Sequence, residues 1–130
     1  MVSYEQARAG VNRLTDKLGK PIDANIQELV ISLWIHDVKT EGSCEGHLDH
    51  GVPYPWIDIA PQSNLQALQV IMYSNLRKMP KGEENKNVWV FHPYGQGKRL
   101  RLTPWDVRRS LKKMHADAAE LALFLHKAAL

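Results

Sequence analysis

The spacing of apolar residues along the chain predicts both helices and strands. Apolar positions three and four apart indicate helical stripes, and strict alternation with polar residues indicates strands. The predicted helices cover residues 3–18, 23–37, 65–79 and 104–130. The predicted strands lie near residues 38–41, 54–61, 88–93 and 99–103. The order is therefore ααββαββα, which is two N-terminal helices followed by ββαββα.

This order predicts an α+β fold in one domain over residues 1–130, with a four-stranded, mostly antiparallel sheet and the helices on one face. In the second strand, Ile57 and Ile59 alternate with Trp56 and Asp58, so the isoleucines are expected to face the core. Segments 56–72 and 99–115 also align without gaps, each with a proline at the same offset. That alignment indicates either a duplicated ββα unit or a chance likeness of two strand–proline–helix junctions.

The last two helices have the clearest apolar stripes. The third is predicted to bury Leu65, Leu68, Met72, Leu76 and Met79. The last is predicted to bury Val107, Leu111, Met114, Ala118, Leu121 and Leu125. Thr103 as N-cap, with Pro104 at the first helical position, would place the start of the last helix at Pro104.

Composition narrows the class of protein. The chain is 44% hydrophobic and 24% charged, which are values of a globular domain. Its single cysteine excludes an internal disulfide and suits a reducing compartment. No apolar run approaches the roughly 18 residues of a membrane span, and the N-terminus lacks the pattern of a signal peptide. We therefore expect a cytoplasmic protein with no membrane partner.

The segment GSCEGHLDHG, residues 42–51, concentrates chemically reactive side chains. Cys44, His47 and His50 follow the spacing C-x-x-H-x-x-H, and thiolate and imidazole are ligands that zinc prefers. The segment therefore predicts a metal site, with zinc as the expected ion. The candidates for a fourth ligand are Asp49, His36, His92 and water. The glycines expected to give the turn its unusual backbone conformation are Gly42, Gly46 and Gly51.

Three other interpretations of this segment remain open. Cys44 beside His47 fits a thiolate–imidazolium nucleophile, with a neighbouring carboxylate orienting the histidine. Alternatively, glycine-spaced backbone N–H groups would bind an anion while Tyr54 and Trp56 hold a planar ring. The third interpretation is structural, because a lone cysteine is often a small buried apolar residue at a strand end.

The motif also carries a resemblance. Thr40-x-x-Ser43-Cys44-Glu45-Gly46-His47, followed by Pro-Trp-Ile-Asp-Ile at 55–59, resembles a pattern in small uncharacterised bacterial and phage proteins. Its core, T-x-x-S-C-x-G, is similar to a segment of the wybutosine-synthesis tRNA methyltransferases, in which arginine typically follows the glycine. Here that position is His47. The resemblance implies that a site lies at Ser43, Cys44, Gly46 and His47, and it identifies no reaction.

Charge is distributed unevenly along the chain. Residues 1–60 hold 5 Lys/Arg and 9 Asp/Glu, a balance of −4, whereas residues 77–114 hold 11 and 3, a balance of +8. This asymmetry predicts an acidic and a basic face. The predicted basic face comprises Arg99, Arg101, Arg108, Arg109, Lys112 and Lys113, with i,i+4 pairs forming a ridge on the last helix. Basic residues near aromatic rings suit nucleic acid or a nucleotide, although an ordinary solvated face has the same composition.

Two functional hypotheses follow from the sequence. In the first, a ligand or metal site occupies the SCEGH turn and the basic face contacts nucleic acid or a nucleotide. The ligand-binding residues of this hypothesis are Ser43, Cys44, Gly46, His47, Tyr54 and Trp56, with His92 as a further wall of the site. In the second, the turn is structural and the protein is a non-catalytic interaction module, in which the last helix docks a partner or a second copy as a homodimer. The sequence does not decide whether the protein is an enzyme.

Overall fold

In the computed structural model, the chain forms the predicted order of elements. The structure describes residues 1–14, 21–77, 87–95 and 98–128. The helices are α1 (Tyr4–Asn12), α2 (Ala24–Ile35), α3 (Asn64–Arg77) and α4 (Leu111–Lys127). The strands are β1 (Thr40–Cys44), β2 (Trp56–Ile59), β3 (Trp89–Tyr94) and β4 (Arg99–Pro104). The predicted extension of the first helix over residues 15–18 and Met79 of the third stripe lie outside the described residues.

The four strands form one antiparallel sheet in the order β1-β2-β4-β3. This confirms the predicted α+β fold. In the centre of the sheet, Ile57 of β2 lies opposite Leu102 of β4. Ile57 and Ile59 are fully buried towards the helices, as predicted, while Trp56 and Asp58 lie on the opposite face. Each ββα unit thus contributes one central and one edge strand.

The core lies between the sheet and the helices, and α2 is at its centre. Seven of the twelve residues of α2 are buried, and α4 packs along it. Two polar contacts fix this packing: the Ser32 hydroxyl donates to the carbonyl of Ala122 at 2.9 Å, and His36 Nε2 donates to the carbonyl of Leu125 at 2.6 Å. In the part of the chain that the structure describes, no helix is long and apolar enough to cross a membrane.

Helix α3 faces the core with a different side from the predicted one. Its buried residues are Ala67, Val70, Ile71 and Ser74. The predicted stripe is exposed instead: Leu65, Leu68, Met72 and Leu76. This orientation brings Asn75 to β3, where its side chain makes hydrogen bonds to the backbone of Trp89 at 2.9 and 3.3 Å. The prediction for the buried face of this helix was wrong.

Helix α4 begins at Leu111, seven residues later than predicted. Thr103 and Pro104 end β4, where Pro104 lies opposite Trp89 of β3. The pairing of β2 with β4 runs only from Leu100 to Leu102, so the missing N–H of Pro104 breaks no bond to β2. The observed N-cap is Ser110, whose hydroxyl accepts from the backbone N–H of Lys113 at 3.2 Å. Predicted Val107 therefore precedes the helix, whereas Met114, Ala118, Leu121 and Leu125 are buried as expected.

Candidate metal centre

The segment after β1 turns sharply at Gly46. This glycine has φ 87°, and a Cβ added there would lie 2.7 Å from the carbonyl carbon of Tyr54 and 2.9 Å from Leu111 Cδ1. Only glycine therefore fits this position without displacing backbone. Gly51 also has a positive φ of 63°, as expected, but Gly42 lies within β1 and does not. The backbone N–H of His47 donates to the carbonyl of Val52 at 3.0 Å and closes the loop.

Two hydrogen bonds between a carboxylate and a backbone N–H, one in each direction, join the end of β1 to the start of α2; we call this pair the carboxylate exchange. Asp23, the N-cap residue of α2, makes no side-chain bond to its own helix. Instead, its Oδ2 accepts from the backbone N–H of Glu45 at 3.0 Å. Glu45 in turn accepts from the backbone N–H of Asn25 at 3.1 Å, which satisfies one of the free donors at the helix start. This exchange places the Asp23 carboxylate beside the SCEGH turn.

Three ligand atoms of the kinds that zinc prefers converge at this junction. Asp23, Cys44 and His47 each offer one, and these atoms lie within 4.8 Å of one another. His47 Nε2 is 3.9 Å from Asp23 Oδ2, and all three residues are half-buried. Zinc–ligand bonds of about 2.0–2.3 Å put tetrahedral ligands roughly 3.3–3.8 Å apart. The group would thus contract by roughly 1 Å around an ion with that bond length.

His50 does not complete the group that the sequence predicts. Its ring stacks on His47, with centroids 4.2 Å apart and planes at 17°. A metal lies close to the plane of each imidazole that binds it, so two stacked rings cannot share one ion without turning. His50 is also exposed and bonds to Asp49 Oδ1 at 2.7 Å, a contact that lowers the pKa of Asp49. His47 and His50 with Asp49 form a second, more exposed group of potential ligands.

The environment of Cys44 favours a neutral thiol. Partial burial raises the pKa of Cys44, and the nearby Asp23 and Glu45 carboxylates raise it further, against an opposing hydrogen bond from the Gly46 N–H at 3.4 Å. Activated thiols have a lowered pKa instead. The surroundings therefore work against the nucleophilic interpretation of Cys44 and His47. A bound divalent cation would displace the thiol proton, as metal binding does at other cysteine sites.

A cleft of about 470 Å³ adjoins two of the three potential ligands, Asp23 and His47. It lies between the start of α2 and strand β1, and Asp23, Ser43 and His47 are among its walls. The other lining residues are Leu14, Pro21, Ile22, Thr40, Glu41, Gly42 and His50. The mixture of hydroxyl, imidazole and apolar groups suits a small polar ligand.

The remaining predicted ligand residues differ in how close they lie to the SCEGH turn. His36 is buried under α4, and His92 lies on the far face of the sheet, where it bonds to Thr103 Oγ1 at 3.0 Å. Trp56 stacks on Arg101 on that same face. Tyr54 packs its backbone against Gly46. Of the predicted set, Ser43, Cys44, Gly46 and His47 lie together at the turn, Tyr54 adjoins Gly46, and Trp56 lies directly opposite Cys44 in the pairing of β1 with β2. His36 and His92 lie away from this group.

The predicted basic ridge is not present as a helical ridge. Arg108 and Arg109 precede α4, so they form no i,i+4 pairs on it. The four arginines of the predicted face each contact a carboxylate: Arg99 with Glu41, Arg101 with Asp58, Arg108 with Asp106 and Arg109 with Asp117. The two lysines, Lys112 and Lys113, are exposed in the first turn of α4. Two of these pairs, Arg99–Glu41 and Arg101–Asp58, join the acidic first half of the chain to the basic second half. Part of the charge asymmetry along the sequence is therefore neutralised by contacts between the two halves.

Neither a protein-family model, nor a curated protein, nor a solved structure matches this chain. The resemblance of the SCEGH motif to other proteins therefore stays a prediction. The sequence interpretation missed Asp23 as a potential ligand, because it lies 21 positions before Cys44 and was assigned only to the start of a helix. The available signal was a carboxylate at an N-cap next to a helix that leads directly into the cysteine strand.

Proposed function

We propose that this protein binds a divalent transition metal, preferentially zinc, through Asp23, Cys44 and His47. The observation that carries the proposal is the convergence of a carboxylate, a thiol and an imidazole from two separate segments within 4.8 Å. Zinc sites with three protein ligands and one open position are typical of catalytic centres. The adjoining cleft would give that fourth position access to a small molecule.

The surrounding contacts support this assignment. The backbone N–H of Glu45 orients the Asp23 carboxylate, and ligands fixed by such outer contacts bind metals more tightly. The loop bond from His47 to Val52 and the Gly46 turn hold the histidine close to the cysteine. A bound zinc would act as a Lewis acid towards an oxygen of a molecule in the cleft. A free thiol at such a site suits a reducing compartment such as the cytoplasm.

The first test is metal content per chain, measured on protein purified without chelator or metal resin. We expect close to one zinc per chain, and far less in Cys44→Ser and His47→Ala. A chelator competition titration should show the dissociation constant rising by more than roughly 100-fold in these variants, since losing even an outer-shell partner costs 10–100-fold. Cobalt titration should add a thiolate-to-cobalt charge-transfer absorption that Cys44→Ser lacks.

His126→Ala is the matched control, because it removes an exposed imidazole in the last turn of α4, which is not among the potential ligands. It should change zinc affinity by less than about threefold, a difference below 1 kcal/mol. Asp23→Asn keeps an acceptor for the Glu45 N–H and removes only the charge, so this variant tests the carboxylate as a ligand without breaking the contact to β1. If no variant binds zinc worse than the wild type, or if the wild type binds none, the metal proposal is wrong. Variants that only lower the melting temperature would favour a structural turn in an interaction module.

A second candidate function is contact with single-stranded nucleic acid or a nucleotide. The observation favouring it is an aromatic cluster on the sheet face opposite the helices. There the Arg101 guanidinium lies 4.0 Å from the ring centroid of Trp56 and 4.3 Å from that of Tyr94. The bidentate bond to Asp58 fixes Arg101 at 2.6 and 3.0 Å and raises its pKa. Aromatic rings held in this way suit stacking by bases.

Fluorescence anisotropy with labelled oligouridine tests this second function. We expect salt-sensitive binding that weakens several-fold in Tyr94→Ala and in Arg99→Ala, since Arg99 lies opposite Tyr94 in the sheet. Lys127→Ala, an exposed lysine in the last turn of α4, is the matched control and should bind as the wild type does. Binding that ignores salt and Tyr94 would exclude this function and leave the metal proposal unaffected.

A further inference from the structure

Helix α3 presents a continuous apolar stripe to solvent. Leu65, Leu68, Met72 and Leu76 are 70%, 40%, 59% and 65% exposed. At 3.6 residues per turn these positions fall within roughly 80° of one another around the helix. The stripe lies opposite the buried face that contacts the core. The helix therefore has two apolar faces, and the described residues 1–14, 21–77, 87–95 and 98–128 cover one of them.

The stripe is bordered by uncharged residues. From Asn64 to Leu76 the helix contains no Lys, Arg, Asp or Glu. Gln69 and Tyr73 lie along one side of the stripe and Asn75 along the other. Exposed helical faces of monomeric proteins usually carry charged side chains. Four large apolar residues with neutral neighbours are instead typical of a surface that another molecule covers.

We propose that a second copy of this chain covers the stripe, with the two α3 helices packed antiparallel about a twofold axis. The spacing of the four residues is nearly symmetric about position 70.5, the midpoint of Leu65 and Leu76. A twofold axis near that point places Leu65 against Leu76 of the other copy, and Leu68 against Met72. An interface in which the same patch serves both copies is the commonest form of oligomer contact.

Charge and area favour a second copy over a different protein. Charged groups orient and select hetero-partners, and this stripe carries none, whereas two identical neutral faces meet without repulsion. The four side chains expose on the order of 400 Å² per copy, which is within the roughly 300–600 Å² of the largest apolar patch on a typical protein, a patch that is often functional. When the polar border is included, the total surface area that two copies would bury lies at the low end of the range for specific interfaces. We therefore expect a dimer that dissociates on dilution.

Sedimentation velocity over a range of protein concentrations tests the proposal. The wild type should shift from monomer to dimer as concentration rises. Leu68→Glu and Met72→Glu should each raise the dissociation constant at least tenfold. The control is Leu123→Glu, an equally apolar and 56% exposed position on α4, the helix that the sequence predicts as the docking surface. It should leave the dimer intact.

Cross-linking tests the same interface without requiring that the glutamate variants fold. Met72→Cys in a Cys44→Ser background has one thiol, which a short bis-maleimide should join to that of a second copy. Leu123→Cys in the same background should remain unjoined. A wild type that stays monomeric throughout, or a dimer lost in Leu123→Glu and kept in Met72→Glu, would overturn the proposal. Zinc affinity is expected to be unchanged in Met72→Glu, so the dimer and the metal site succeed or fail separately.

Discussion

Helices α3 and α4 have equally regular apolar stripes in the sequence, yet the stripe of α4 is buried and that of α3 is exposed. Helix α4 turns its stripe inward, and Met114, Leu121 and Leu125 are fully buried along α2. Helix α3 turns its stripe outward and buries residues as small as Ala67 and Ser74. Periodicity thus identifies an apolar face, while the choice between two faces depends on which side chains fit the space against the sheet.

The first prediction separates the two stripes by their effect on stability. Leu121→Ala in α4 should lower the free energy of unfolding by about 2–5 kcal/mol, because it opens a cavity in a packed core. Leu68→Ala in α3 should change it by less than about 0.5 kcal/mol at concentrations where the protein is monomeric. Denaturant unfolding followed by circular dichroism measures both. A loss above about 2 kcal/mol in Leu68→Ala would show that the α3 stripe is part of the core.

The second prediction concerns how the start of α4 is held. Arg109 binds Asp117 through two hydrogen bonds, of 2.9 and 3.2 Å, and the two side chains are 20% and 11% exposed. Arg109→Ala leaves that carboxylate largely buried without the arginine and should cost about 1–3 kcal/mol of unfolding free energy. Arg108→Ala is the control, since its side chain is 89% exposed and should contribute less than about 0.5 kcal/mol. Equal effects of the two variants would contradict this account.

The third prediction tests where α4 begins. Ser110→Ala removes the observed cap and should cost about 1 kcal/mol, with faster hydrogen exchange at the Lys113 amide that it binds. Thr103→Val removes the cap predicted from the sequence, but Thr103 bonds to His92 and to the carbonyl of Pro104 instead. That variant should leave the exchange of Lys113 unchanged. The reverse pattern would move the helix start back to Pro104.

The smallest expected effect lies outside both helices, at Cys44. Because its pKa is raised in the folded protein, the neutral thiol contributes stability below the ordinary thiol pKa of about 8.5, and that stability is lost as the pH rises through the folded pKa. In metal-free protein, the melting temperature of the wild type should therefore fall relative to Cys44→Ser above about pH 8.5. A difference that stays constant with pH would show that the thiol does not titrate differently on folding.

The order of elements was predictable because it rests on local periodicity and local turn chemistry. The alternation of β2 is present as predicted, and the Ser3–Gln6 capping box that begins α1 is likewise a contact between residues three positions apart. The start of α4 was not predictable in the same way. Pro104 fits the first turn of a helix and the end of a strand equally well, and the outcome depends on its pairing with Trp89, which lies 15 positions earlier in the chain.

The candidate site also has one part that follows from local sequence and one part that depends on tertiary contacts. Cys44 and His47 are three positions apart, so a single turn brings them together and their proximity followed from spacing. Asp23 reaches them only because Glu45 and Asp23 exchange hydrogen bonds across two elements. His50 was equally close in sequence, but it stacks on His47 and joins Asp49 in a second group of potential ligands, not the group of Asp23 and Cys44. Short spacing identified part of the site, and tertiary contacts selected the rest.

The carboxylate exchange between α2 and β1 also bears on how the protein opens and folds. The first turn of α2 obtains a cap from Glu45, twenty residues later in the chain, so it cannot be completed before β1 is in place. The amides of Asn25 and Glu45 should then lose their protection in the same opening event, with matching exchange free energies. Any molecule that binds at the SCEGH turn would slow both amides together, and in this way the start of a buried helix would report on a site at the surface.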